Sequence, residues 1–333
     1  MTYNLIAVFQ KFADFYKAPA QKLPPAPPAF LTRPPNEDEQ IRKFLQGKQI
    51  VLVNGYWGGD FSDNLKELRR IDPGIPFTKI NPAPAQSIAE NAELLISLLK
   101  KASRANPSRA QIILIGHSKG GAEVVHLAVY HSEIFDSSNG LGFQVDQVLT
   151  LQAALGGSIV ADIELRNDLE LFSSWRQFLV SKNIKVPWWA LHIKGLLLGI
   201  KTPGFQSLST LQSKERNSEL VHFFSSLPLK IQQKIKSHIH FNVSYRKAEN
   251  FSSLPFYLRT MAEFIDSQGS PNDGLLKLEH QSLAEVGNIL ITAEDRSHFN
   301  LIEKYGPAKI RQDFTFEMLL RLSEKLKDSS RLQ

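Results

Sequence analysis

The chain of 333 residues has no cysteine. Disulfides, thiolate zinc sites and a cysteine nucleophile are therefore excluded. It has no run of 18 or more apolar residues, so no transmembrane helix is expected. The first fifteen residues lack a basic n-region, and Lys11 and Asp14 interrupt their apolar pattern. No secretory signal is read there, and the expectation is a cytoplasmic protein. Dense Lys/Arg blocks are missing too. The formal net charge of +6 is scattered along the chain. It reads as a solubility feature with weak attraction to anionic surfaces, and no nucleic-acid partner is expected. No internal repeat and no metal-ligand cluster stand out, and neither a cofactor nor a metal is expected.

What is present suits a globular fold. Hydrophobic residues make up 42% of the chain and charged ones 22%, enough for a substantial core. Leu5, Ile6, Phe9, Phe12 and Tyr16 recur at helical spacing, which predicts an amphipathic helix over 1–17 packed on the protein surface. Peripheral contact with a membrane or lipid surface is its sharper reading. Seven prolines between Pro19 and Pro35 make 18–36 an extended connector. Regular structure is expected from Gln49. Five β-rich runs follow, at Gln49–Val53, Gln111–Ile115, Gln147–Gln152, His240–Tyr245 and Asn288–Thr292. A capping box, Ser87-Ile-Ala-Glu90, opens a helix with Ile88, Ala92, Leu95 and Leu99 on one face, and Pro107 closes it. Apolar strands alternating with helices predict an α/β protein with a mainly parallel central sheet and helices on both faces. The range 163–237, without clear strands, reads as an insertion between two parts of the core, 37–162 and 238–333.

Chemistry concentrates in Gly116-His117-Ser118-Lys119-Gly120. A bare Gly-x-Ser-x-Gly pattern arises by chance in about one chain in ten of this length. Here it follows an apolar strand directly and opens a helical pattern directly, the setting of a nucleophile elbow. The glycines let strand and helix crowd together, and the helix N-terminus favours a developing oxyanion. Ser118 is the candidate nucleophile. Of nine histidines, His298 follows the last strand by one loop, at the carboxyl end where catalytic groups collect. It is the candidate base, with His280 its rival. Asp273, in Ser270-Pro-Asn-Asp-Gly-Leu275, is the candidate acid, ranked above Asp295. The backbone amides of Tyr56 and Lys119 are the candidate oxyanion donors.

These pieces, in this order, resemble the α/β-hydrolase superfamily and, within it, the bacterial lipases and esterases. Val51-Leu-Val-Asn-Gly-Tyr56 is similar to the family's strand and oxyanion loop, although lipases usually carry His where Asn54 stands. Leu151 to Asp162 resembles the segment with a Gly-Ser-x-x-Ala-Asp run. Asn272-Asp273-Gly274 looks like the acid loop and His298-Phe-Asn-Leu301 like the histidine loop. The resemblance implies the α/β-hydrolase fold with a helical cap or lid, and spans roughly Gln49 to Leu301. Structural calcium occurs in several such lipases, but no ligand cluster here carries it over.

Three of the four tryptophans, Trp175, Trp188 and Trp189, fall in the insertion. With Trp57 in the oxyanion loop, Trp188 and Trp189 are the expected pocket or lid residues. The function expected is cleavage of a small-molecule or lipid ester of an apolar acyl group through a Ser-His-Asp triad. An acyltransferase, thioesterase or amidase on the same triad is the alternative within the fold. A non-catalytic scaffold binding lipid or protein is the alternative outside it.

Overall fold

The computed structural model describes residues 35–56, 61–165, 169–182, 202–254, 256–296, 298 and 308–331. The expected helix over 1–17 and nearly all of the connector lie outside them. The elements run α1 (Pro35–Leu45), β1 (Lys48–Val53), α2 (Ser62–Ile71), β2 (Phe77–Ile80), α3 (Ile88–Ala105), β3 (Gln111–His117), α4 (Lys119–Tyr130), β4 (Gln144–Leu151) and α5 (Ile159–Leu165). They continue with α6 (Leu169–Ser181), α7 (Pro203–Gln206), α8 (Thr210–Ser226), α9 (Leu229–His238), β5 (Ile239–Tyr245), α10 (Phe256–Ser267), β6 (Asn288–Glu294) and α11 (Ala308–Arg331).

The strands form one sheet in the order β2-β1-β3-β4-β5-β6, and every neighbouring pair is parallel. Parallel pairs need long crossovers, and helices supply them. Side chains alternate between two apolar clusters, one on each face. Val51, Val53, Ile112 and Leu114 join the cluster built with α3 and α4. Ile50, Leu52, Ile113 and Ile115 join the one built with α1, α2 and α11. Burial on both faces is why these strands read as unbroken apolar runs. Arg311 on α11 donates to Asp63 Oδ2 on α2 through Nε and Nη2 (3.0 and 2.7 Å), tying the last helix to the first part of the core.

Two features differ from the sequence expectation. Among the described residues a helix, α1, opens at Pro35, ahead of the strand expected from Gln49. A sixth strand, β2, pairs with β1 at the sheet edge. Its burial falls mainly on Ile80, so Phe77-Thr-Lys-Ile80 lacks the apolar continuity of the others. The capping box of α3 is formed in both directions. Ser87 Oγ accepts from Glu90 N at 3.3 Å, and Glu90 Oε2 accepts from Ser87 N at 2.7 Å.

The described helices of 163–237 share the main core. Trp175 and Leu179 of α6, Phe205 of α7, and Leu220 and Phe224 of α8 belong to the same cluster as the sheet face above α4. Trp175 meets Phe264 of α10 edge-on at 5.0 Å, and Phe223 of α8 stacks on Tyr130 of α4 at 4.6 Å.

Sheet order reverses between β1 and β3: β2 lies to one side of β1, and all later strands to the other. Such a switch point opens a crevice at the carboxyl ends of the strands.

Candidate active site

At that crevice β3 ends on His117 and α4 begins on Lys119, so Ser118 alone reverses the chain. Its backbone sits at φ 52°, ψ −120°, a conformation that costs a non-glycine residue about 1–3 kcal/mol. Hydrogen bonds hold it there. The Ser118 N–H donates to the Leu151 carbonyl on β4 at 3.0 Å, and its own carbonyl accepts from Gly121, Ala122 and Ala154. Strand and helix cross very closely. A Cβ on Gly116 would lie 2.5 Å from the Gly120 carbonyl oxygen, and one on Gly121 would lie 2.6 Å from Ala153 Cβ. The loop after β1 touches the serine itself: a Cβ on Gly55 would lie 2.8 Å from Ser118 Cβ. Tyr56 follows and meets Phe205 of α7 edge-on at 5.5 Å.

Lys119 is the first residue of α4, where a backbone N–H has no acceptor within its own helix. Its side chain is buried and pairs with Glu123 Oε1 at 2.7 Å. Asn91 Nδ2 donates to the same oxygen at 2.7 Å, which couples α3 to the start of α4.

Asp273 and His298 come from the loops that follow β5 and β6. Asn272 shapes the acid loop, its Oδ1 accepting from Gly274 N at 2.9 Å, with Gly274 in the left-handed region at φ 99°. Asp273 is fully buried. Its Oδ1 accepts from the amides of Leu275 (3.0 Å) and Leu276 (2.8 Å). Its Oδ2 accepts from His298 Nδ1 at 2.8 Å and from Gln281 Nε2 at 3.3 Å. A carboxylate only accepts, so His298 carries its proton on Nδ1. The same two residues are joined along the backbone, His298 N to the Asp273 carbonyl, at 2.8 Å.

His117 places this pair beside the elbow. Its ring lies 5.0 Å from that of His298, centroid to centroid, and its Nε2 donates to the His298 carbonyl at 3.4 Å. Burial, reinforced by the neighbouring His298, holds His117 well below the usual histidine range. It is a neutral strut, and its Nδ1 is buried without a partner.

Ser118, Asp273 and His298 are thus gathered at the carboxyl end of the sheet, with Tyr56 and Lys119 flanking the serine. Trp57, Trp188 and Trp189 lie outside the described residues. The rivals are placed elsewhere. His280 Nδ1 contacts the Gly157 carbonyl at 3.2 Å, and burial lowers its pKa. Asp295 sits in a turn at φ 55°, while the partner of His298 Nδ1 is Asp273. Three residues that sequence reasoning did not single out also build the site: His117, Gln281 and Ser158. Ser158 Oγ donates to the Leu275 carbonyl at 2.9 Å, bracing the acid loop. Its signal was the Gly157-Ser158-x-x-Ala161-Asp162 run itself. Asp162 in turn accepts from the Thr210 amide (2.9 Å) and hydroxyl (2.6 Å), anchoring α8.

No family model matches the chain, and no curated protein sequence matches it. Among solved structures it is similar to a lipase of Bacillus licheniformis in its mature form. The two are 20% identical with a TM-score of 0.55, over 83% of this chain and 91% of that one. A metagenomic carboxyl esterase is 15% identical with a TM-score of 0.48, over 85% of this chain and 76% of that one. The chain has the α/β-hydrolase fold.

Proposed function

We propose that the chain is a serine hydrolase that cleaves carboxylic esters of apolar acyl groups through an acyl-enzyme on Ser118. One observation carries the proposal: a serine strained at a strand-to-helix turn stands beside a buried Asp273–His298 pair, and His117 ties the two together. With Nδ1 of His298 engaged by Asp273, Nε2 is the base.

His298 Nε2 takes the hydroxyl proton as Ser118 Oγ bonds to the ester carbonyl carbon. The carbonyl electron pair moves onto oxygen, where the Tyr56 and Lys119 amides receive it. The pair then re-forms the C=O bond and expels the alkoxide, which His298 protonates. Water repeats the sequence on the acyl-enzyme and frees the acid. Asp273 holds the imidazole in the needed tautomer and steadies the imidazolium. The apolar preference is supported by the Tyr56–Phe205 aromatic contact on the loop whose Gly55 meets Ser118 and by the tryptophan-rich insertion. Under this proposal the partner is a small-molecule or lipid ester.

The test is hydrolysis of p-nitrophenyl esters from acetate to palmitate, run beside Ser118→Ala and with a fluorophosphonate probe. Activity and labelling that vanish together in the variant are expected, with the preferred chain length sizing the pocket. A wild-type protein that neither hydrolyses any ester nor takes the probe would leave the non-catalytic scaffold as the better account. Acceptor alcohols added to the same assay separate hydrolysis from acyl transfer.

A further inference from the structure

We infer that Gln281 is a positioning residue for Asp273, locking the carboxylate to the end of β5 through its side-chain amide; this rests on Asp273 being the acid of the proposed triad. Gln281 closes a one-turn 3-10 helix, Leu278–Gln281, and is fully buried. Its Oε1 accepts from the Ser244 N–H at 2.8 Å, and its Nε2 donates to the Ser244 carbonyl at 2.8 Å. The amide therefore pairs with β5 as a neighbouring strand would. That fixes its orientation, since a flipped amide would set donor against donor and acceptor against acceptor. With Ser244 served, Nε2 also donates to Asp273 Oδ2 at 3.3 Å, the oxygen that receives His298 Nδ1.

Ser244 extends this framework toward the nucleophile. Its hydroxyl accepts from Gln152 Nε2. Gln152 follows Leu151 directly, at φ 50°, and the Leu151 carbonyl receives the Ser118 N–H. A connected path of chain and hydrogen bonds thus runs from elbow to acid, with Gln281 as its last link. Burying an amide costs free energy that an apolar side chain would not. Fixing the Asp273 carboxylate while sharing its Oδ2 with His298 accounts for an amide at this position.

Among the described residues His117 lies against His298, and the elements that carry the pair also hold the charged or titratable groups Arg246 after β5, Asp295 and Arg296 after β6, and His280 before Gln281. Burial lowers the pKa of His117, His280 and Arg246. A like charge at position 281 would act on the His298–Asp273 couple directly. Losing the Gln281 donor leaves Oδ2 to His298, which favours the imidazolium and moves the acid limb of kcat/KM to higher pH. A second carboxylate there moves it further.

The experiment measures kcat/KM against pH with p-nitrophenyl butyrate for Gln281→Met and Gln281→Glu, alongside thermal midpoints. Both variants are expected to lose roughly tenfold in kcat, with KM within about twofold of wild type. The acid limb should rise slightly in Gln281→Met and by about one unit in Gln281→Glu. A merely structural Gln281 predicts that Gln281→Met keeps the wild-type limb and kcat wherever it is folded, whereas the Gln281→Glu limb moves through its charge under either role. Gln281→Glu keeps the shape and the acceptor for Ser244, so a wild-type kcat in that variant would also overturn the positioning role. Should Gln281→Met fail to fold, the kcat of the isosteric Gln281→Glu decides, a tenfold fall upholding the positioning role and a wild-type value overturning it. Ser118→Ala and Asp273→Asn run in parallel. If both keep wild-type activity, the triad itself falls and the inference with it. If both lose activity while the Gln281 variants keep the wild-type kcat, only the positioning role falls.

Discussion

Around Ser118 backbone pressed on backbone adds a steric constraint to the backbone hydrogen bonds; around Asp273 and His298 hydrogen bonds to side chains set position. At the elbow four glycines, Gly55, Gly116, Gly120 and Gly121, stand where a single methyl would reach within 2.8 Å of another residue. At the acid–base pair a carboxylate receives four donors from three places in the chain: the amides of Leu275 and Leu276, the side chain of Gln281, and His298. Steric constraints are steep and short-ranged, so nothing at the elbow gives way gradually. Hydrogen-bond constraints are directional and shared, so the loss of one donor leaves the others in place. Substitutions at the elbow should therefore register first in folding, and substitutions at the acid–base pair first in turnover.

Asp273→Asn gives the largest effect and sharpens the contrast most. The side chain keeps its shape, but it presents an N–H where His298 needs an acceptor, or turns and forfeits the tautomer. A drop in kcat of about 10⁴ is expected, with a thermal midpoint close to wild type; ester hydrolysis and a melting curve read both. A variant that unfolded instead would show the pair to be as structural as the elbow. Gly116→Ala is the counterpart. Its Cβ would meet the Gly120 carbonyl oxygen at 2.5 Å and Val124 Cγ2 at 2.6 Å, and neither the backbone of α4 nor its packing on β3 can yield cheaply. A loss of about 3 kcal/mol is expected in denaturant unfolding, and an unchanged midpoint would break the comparison. Ser158→Ala lies between the two. It leaves the Leu275 carbonyl without its hydroxyl donor, for about 1–2 kcal/mol of stability. A few-fold fall in kcat should accompany it, because the acid loop loosens while Asp273 keeps its own donors.

The same division decides what could be read from the sequence. The elbow was legible because its constraint is local: an apolar run, a glycine-flanked serine and a helical pattern are contiguous from Gln111 to Tyr130. The acid loop was legible for a similar reason, since Asn272-Asp273-Gly274 announces its own turn. Gln281 and His117 were not, because an amide or an imidazole carries no pattern; each matters through a partner that only the fold brings near. β2 escaped because an edge strand need bury only one end, which leaves Phe77-Thr-Lys-Ile80 without the continuous apolar signal of a central strand. That the described helices of 163–237 share the main core was not legible, because an absence of strands says nothing about where helices pack.

The smallest predicted effect asks whether a titrating histidine adds to the buried Lys119–Glu123 pair in holding the elbow half. His131 caps α4, with Nε2 2.9 Å from Glu93 Oε1 on α3 and Nδ1 3.3 Å from Glu133 Oε1. Burial pulls its pKa down, but the bonds and attraction to Glu93 and then Glu133 outweigh it, and the net shift is upward from 6.5. A raised folded value means stability that is complete below the unfolded value and fades as pH rises through the folded one. Solvent screening keeps the contribution of this exposed contact under about 1 kcal/mol. The buried histidines slope the other way. His126, held by burial at about 4, and His240, held by burial at about 3, stabilise above the unfolded value and cost stability as pH falls below it. Urea midpoints of wild type and His131→Gln should therefore converge at the alkaline end and separate as pH falls through the folded His131 value, with wild type the higher. Below 6.5 both curves should decline together under the load of the buried histidines. Midpoints that stay parallel across the whole range would remove His131 as a group titrating on the elbow side.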